Sequence, residues 1–259
     1  MTENFLFAFF VTLLTGLATS IGGFAAFFVK KNDFKILSFI LGFSSGVMLY
    51  VSLTALLPEG FLLFLNSFGK LYSLFLTFLF LLIGMGFVFF INKFMPEEKM
   101  DNSIKNALKK DQQIVLKTSV LVAFILALHN LPEGLSTFMA ILVGLDISYP
   151  VALSMAMHNI PEGIAVCLPV LFLTKSPKKA FLYTFLSGFI EPLGALLGYV
   201  LFLPLIKEGF AGSVFAFVSG MMILVSVIAL YPAVRKRIGS VYCVAGFLIA
   251  CFLSALTFL

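Results

Sequence analysis

The chain has 259 residues, of which 61% are hydrophobic and 11% charged, with 33 phenylalanines and a mean hydropathy of +1.12. A water-soluble domain of this length needs a far more charged surface, so the composition excludes that class and points to a polytopic membrane protein. The net charge of +5 does not describe a nucleic-acid surface, because the basic residues collect at the ends of apolar runs.

Met1-Thr2-Glu3-Asn4 carries no basic stretch, and the chain then runs apolar to Val29. That is too long for the apolar core of a signal peptide, so the segment reads as a retained first span. Runs long enough to cross a hydrocarbon core of about 30 Å lie at about 4–29, 36–57, 71–92, 118–143, 149–173, 180–206, 210–231 and 239–259. Eight spans are expected, all α-helical, in a single transmembrane domain over 1–259. Fifteen of the 17 Lys and Arg residues follow spans one, three, five and seven, and only Lys70 and Lys207 lie in the other connections. Basic residues concentrate on the cytoplasmic side, so both termini should face outward.

The one sizeable connection, about 93–117, mixes Lys99, Lys105, Lys109 and Lys110 with Glu97, Glu98, Asp101 and Asp111. It contains no histidine and reads as a solvated, partly helical cytoplasmic loop, with lipid headgroups as the competing contact. Cys167, Cys243 and Cys251 show no C-x-x-C spacing and read as small buried hydrophobes.

Internal similarity carries more information. At a separation of 174, span two matches span seven at Phe43/Phe217, Ser45/Ser219, Gly46/Gly220, Met48/Met222, Val51/Val225, Ser52/Ser226, Ala55/Ala229, Leu56/Leu230 and Pro58/Pro232. Span one matches span six at Gly16/Gly188 and Gly22/Gly194, which sets Thr19 opposite Glu191. Matched spans run in opposite directions, the trace of an inverted-topology repeat, and such transporters bind substrate near the midplane where the repeats meet.

Spans four and five carry near copies of one hexapeptide, His129-Asn130-Leu131-Pro132-Glu133-Gly134 and His158-Asn159-Ile160-Pro161-Glu162-Gly163, which hold both histidines of the chain. His129 lies twelve residues beyond Lys117 and His158 twelve beyond Asp146, each about 18 Å along a helix. One is measured from the inside and one from the outside, so both motifs fall at mid-depth. Residues four apart share a helix face. His129 with Glu133 and His158 with Glu162 can therefore offer two imidazoles and two carboxylates to one divalent cation. Nitrogen and oxygen donors without a thiolate suit Zn²⁺, Fe²⁺, Mn²⁺ or Co²⁺.

Pro132 and Pro161 free the carbonyls of Leu128 and Met157 and should bend the helices, while Gly134 and Gly163 leave room for close approach. The bland alternative, two structural His–Glu contacts, is disfavoured by the duplication at matched depth. Glu191, in Ser187-Gly188-Phe189-Ile190-Glu191-Pro192, is a further mid-depth acid that can join the site. Glu59 reads as an interfacial charge at the outer end of span two. Met48 and Met222 read as packing residues rather than soft ligands.

In these motifs the sequence resembles the ZIP (Zrt/Irt-like) family of divalent-metal transporters, in particular its bacterial ZupT/GufA-like branch. The resemblance covers essentially the whole chain: eight spans, outward termini, a long cytoplasmic loop, both hexapeptides and Ser-Gly-x-x-Glu in span six. It implies a 3+2+3 arrangement of helices and a binuclear centre. His129, Glu133, His158 and Glu162 would form one site, and Asn130, Asn159 and Glu191 the second, with Glu133 and Glu162 bridging.

It also implies import by an elevator-like motion. Two departures stand out: the cytoplasmic loop lacks a histidine cluster, and span seven ends Ala229-Leu230-Tyr231-Pro232 where the branch often has an acid before proline. The expected function is uptake of divalent metal across the plasma membrane, a bacterial inner membrane, with no enzymatic activity and no catalytic cofactor. The partners are metal ions and lipids, not nucleic acid, and homodimer formation is open. A proton- or solute-coupled carrier built on His–Glu relays and an intramembrane metal-dependent hydrolase are the competing classes. The typical zincin spacing H-E-x-x-H is absent.

Overall fold

A computed structural model describes residues 2–28, 34–94, 110–142, 148–202, 208–235 and 240–257. No strand occurs among the described residues. The helices are α1 (Thr2–Ala25, closed by a 3-10 turn at Ala26–Phe28), α2 (Phe34–Val51), α3 (Leu57–Ser67), α4 (Lys70–Phe94), α5 (Lys110–Leu142), α6 (Ser148–Thr174), α7 (Pro177–Phe202), α8 (Glu208–Arg235) and α9 (Ser240–Thr257). A bilayer core offers backbone groups no water, so each segment must satisfy its own N–H and C=O groups, and helices do so.

Six stretches among the described residues are long and apolar enough to cross a membrane: Phe5–Phe28, Ser38–Ser67, Lys70–Ile91, Ser148–Thr174, Pro177–Leu201 and Gly209–Ile228. α5 and the shorter apolar α9 occupy the places expected for the fourth and eighth spans. Large apolar side chains such as Leu71, Phe78, Phe89, Val241 and Phe252 point outward, as they must where the surroundings are lipid. The chain is a multi-pass membrane protein. Of the loop expected at about 93–117, residues 95–109 lie outside the described residues, and Lys110–Lys117 already belong to α5. Lys30, Lys31, Asp146, Lys207, Lys236 and Arg237, on which the orientation partly rests, also lie outside them.

The second span departs from the sequence expectation. It does not stop near residue 57 but continues to Ser67, through a π-helical turn at Ser52–Leu56 in which the Leu57 N–H donates to the Ser52 carbonyl. Widening the turn re-registers the backbone bonds just ahead of Pro58, which has no N–H to give. Pro58 then sits directly after the π turn, at the start of the α-helical stretch α3. Glu59 is consequently half-buried within a continuing helix rather than at a helix end.

The helices sort into two sets. α1, α5, α6 and α7 pack on one another, and so do α2 with α9, α4 with α8, and α3 with α8. Glycines explain the division. Gly22 of α1 faces the Ile160 backbone and Gly163 of α6 faces Thr19; Gly194 of α7 faces the Leu131 backbone and Gly134 of α5 faces Glu191. In the second set, Gly42 faces Cys243, Gly246 faces Phe39, Gly84 faces Phe217 and Gly220 faces Leu81. In each case a Cβ would collide with a neighbouring main chain, so only glycine permits the approach.

No described glycine turns its open side to the other set. Across the boundary, α2 meets α6 and α5 meets α8 through side chains of the main apolar core, including Val47, Met48 and Val51, Met139 and Met155, and Met221, Met222 and Val225. Met48 and Met222 are thus packing residues, as expected.

Candidate metal centre

α5 runs unbroken through Pro132, α6 through Pro161 and α7 through Pro192. The four-residue spacing brings histidine and glutamate to one face of each helix, and the two faces meet. His129 Nε2 lies 3.0 Å from Glu133 Oε2. His158 Nε2 lies 2.8 Å from Glu133 Oε1 on the other helix and 3.8 Å from Glu162 Oε2 on its own. One ligand atom from each of His129, Glu133, His158 and Glu162 falls within 4.8 Å of the other three, and all four side chains are buried. Zinc bound tetrahedrally at about 2.1 Å separates its ligand atoms by roughly 3.4 Å, so the observed spacings bracket what one ion requires.

The electrostatics favour a cation. Glu133, Glu162 and Glu191 are all fully buried, and no lysine or arginine is among the buried residues described. Carboxylates in that position need a compensating positive charge. His158 Nδ1 lies 3.3 Å from the Ser154 carbonyl. With Nδ1 donating to that carbonyl, Nε2 faces the Glu133 carboxylate at 2.8 Å, a contact that either a proton or a metal cation between the two atoms satisfies.

The asparagines are oriented from outside the hexapeptides. Asn130 Nδ2 donates to the Ser187 carbonyl at 3.2 Å and lies 3.3 Å from Ser187 Oγ, on α7. Asn159 Nδ2 donates to the Thr15 carbonyl on α1 at 2.8 Å and to Glu191 Oε1 at 2.5 Å. The amide N–H groups are taken by the Ser187 and Thr15 carbonyls and by Glu191 Oε1, and both Oδ1 atoms are buried without a hydrogen-bond partner among the described residues. Glu191 also accepts from Thr15 Oγ1 at 2.9 Å.

The structure therefore brings His129, Glu133, His158 and Glu162 into one cluster and links Glu191 directly to Asn159, with Asn130 held by the residue four before Glu191. Thr15 and Ser187 escaped the sequence reading. The signal was present, since they stand 172 apart, the separation that pairs Gly16 with Gly188.

A multi-pass helical membrane protein with a buried, cation-demanding His/Glu cluster between two helices is the class that these features define. Residues 94–254 match the family model described as ZIP Zinc transporter. Proteins named Zinc transporter ZupT are similar over most of their length: 38% identical in Clostridium perfringens (90% of this chain, 88% of the relative) and 40% in Streptococcus mutans (91% and 90%). The relative from Oceanobacillus iheyensis is 41% identical, with 90% of each chain covered. The chain belongs to the ZIP family of metal transporters.

Proposed function

We propose that this protein carries divalent transition-metal cations across the plasma membrane into the cytoplasm, with Zn²⁺ as the leading cargo and Fe²⁺, Mn²⁺, Co²⁺ and Cd²⁺ as competitors. The observation that carries the reading is the cluster itself: four N and O ligand atoms within 4.8 Å, fully buried. The relatives are named as zinc transporters, which favours Zn²⁺ within the set that such donors accept. His129, Glu133, His158 and Glu162 hold the first ion. Asn130, Asn159 and Glu191 provide a second position, with Glu133 and Glu162 within reach of both.

The same reading includes eight spans in a 3+2+3 inverted repeat with both termini outside. Paired contacts support it: Gly22–Ile160 and Gly163–Thr19 between α1 and α6 correspond, residue for residue, to Gly194–Leu131 and Gly134–Glu191 between α7 and α5. The hydrogen bonds follow suit, Asn159 to the Thr15 carbonyl and Asn130 to the Ser187 carbonyl. Alternating access then moves α1, α5, α6 and α7 as a unit against the other set. Backbone-to-backbone packing keeps each set stiff, whereas the boundary is made of methionine, valine and alanine side chains that can slide and repack.

His158→Ala and Glu162→Ala decide the assignment. Each variant should fold, and in proteoliposomes each should reduce uptake of radiolabelled Zn²⁺ to background. Unchanged uptake of both Zn²⁺ and Fe²⁺ would refute it. Competition among Zn²⁺, Fe²⁺, Mn²⁺, Co²⁺ and Cd²⁺ ranks the cargo. A coupled carrier without metal predicts protein free of metal after purification in chelator-free buffer, and a hydrolase predicts cleavage across a peptide and lipid panel without metal flux.

A further inference from the structure

We infer that Thr15 of α1 is a positioning residue of the metal centre, holding the Glu191 carboxylate and the Asn159 amide in the orientation that a cation needs. The inference rests on the reading of Glu191 as a metal ligand. Among the described residues α1 supplies no ionisable group to the interior, and neither hexapeptide motif includes it, yet Thr15 touches two of the three side chains of the second position, Glu191 and Asn159.

The geometry is a closed triangle. Thr15 Oγ1 lies 2.9 Å from Glu191 Oε2, Asn159 Nδ2 donates to Glu191 Oε1, and the same amide nitrogen donates to the Thr15 carbonyl at 2.8 Å. The Thr15 hydroxyl also lies 2.8 Å from the Thr12 carbonyl but has one proton to give. The carboxylate, as the charge-bearing acceptor, takes it. Each Glu191 oxygen then receives one donor and keeps a further lone pair for a cation. The carboxylate is pinned without being saturated.

On the other side of the centre the Ser187 carbonyl accepts from Asn130, so main-chain carbonyls at corresponding places in α1 and α7 set the two amides, while the Thr15 hydroxyl alone reaches Glu191. Thr15 also lines a cleft of about 530 Å³ between α1 and α6, so an isosteric change there meets no tight wall.

The test uses the full-length purified protein, reading Zn²⁺ affinity and stoichiometry by titration calorimetry and uptake in proteoliposomes, with Glu191→Gln measured alongside. Thr15→Val keeps the shape and removes the hydroxyl, and Thr15→Ser keeps the hydroxyl. Thr15→Val should weaken the same Zn²⁺ site that Glu191→Gln weakens, by about ten- to a hundred-fold, the usual effect of removing the partner that orients a ligand. Thr15→Ser should stay within about three-fold of the unaltered protein, and Thr15→Val should add nothing in the Glu191→Gln background.

Unaltered binding in Thr15→Val, an equal loss in Thr15→Ser, or additive losses in the double variant would each overturn the inference while leaving Glu191 a ligand. Unaltered binding in Glu191→Gln would instead remove the ligand role of Glu191 and the inference with it. Should Thr15→Val fold poorly, Thr15→Ala poses the same question with the same outcomes.

Discussion

The two helix sets use the same packing device and opposite chemistry. Both are drawn together by glycines laid against a neighbouring main chain. In the set α1, α5, α6 and α7, the buried polar residues include two histidines, three glutamates and two asparagines; in the set α2 to α4, α8 and α9, every buried polar residue described is a serine. Several of those serines, Ser52, Ser219 and Ser226, merely return a hydrogen bond to the carbonyl four residues earlier in their own helix. Among the described residues the buried interior of one set, the cartridge, carries ionisable groups, and that of the other, the frame, carries none. No buried residue described in the second set offers a competing charged ligand, and its Glu59 is only half-buried.

Glycine replacements give the largest expected effect and test the device common to both sets. Gly163→Leu, which forces a side chain into the Thr19 backbone, and Gly84→Leu, which does the same at Phe217, should each leave no monodisperse folded protein by size-exclusion chromatography. Ligand replacements come next and should separate the sets. Glu133→Gln, at the residue touching both histidines, should retain a folded, monodisperse protein but bring Zn²⁺ uptake to background.

A smaller effect is expected from Glu191→Gln, which should lower bound Zn²⁺ from two ions to one by elemental analysis while leaving the His129–Glu133–His158–Glu162 position occupied. Ser226→Ala, in the frame, should change uptake by less than about two-fold, because its hydroxyl serves only its own helix. A loss of transport in Ser226→Ala comparable to that of Glu133→Gln would dissolve the distinction between cartridge and frame.

Much of this was legible in the sequence, for reasons that differ by residue. His129, Glu133, His158 and Glu162 declare themselves because ionisable groups at mid-membrane are rare and a spacing of four maps directly onto one helix face. Most helix limits followed from hydropathy, since the hydrocarbon thickness fixes span length.

Span two was read too short, because its apolar run was closed at about residue 57 while the helix continues to Ser67. Proline ordinarily ends a helix, and whether a π turn rescues it depends on backbone registration that composition does not encode. Thr15 was legible only as the repeat counterpart of Ser187, and not as a partner of Glu191. A threonine in an apolar helix is commonplace, and its partner Glu191 lies 176 residues away, so only the assembled packing of α1 on α6 and α7 identifies it. The division into two sets was half visible: the glycines could be seen, but not which backbone each one faced.

Thr19 and Glu191 occupy corresponding places, each with its main chain against a hexapeptide glycine, yet one side chain is a neutral alcohol and the other an acid. The centre built from two near copies is therefore asymmetric, with a carboxyl group on one side where the other has a hydroxyl. Two faces that would otherwise be interchangeable acquire a direction from that single difference in side chain.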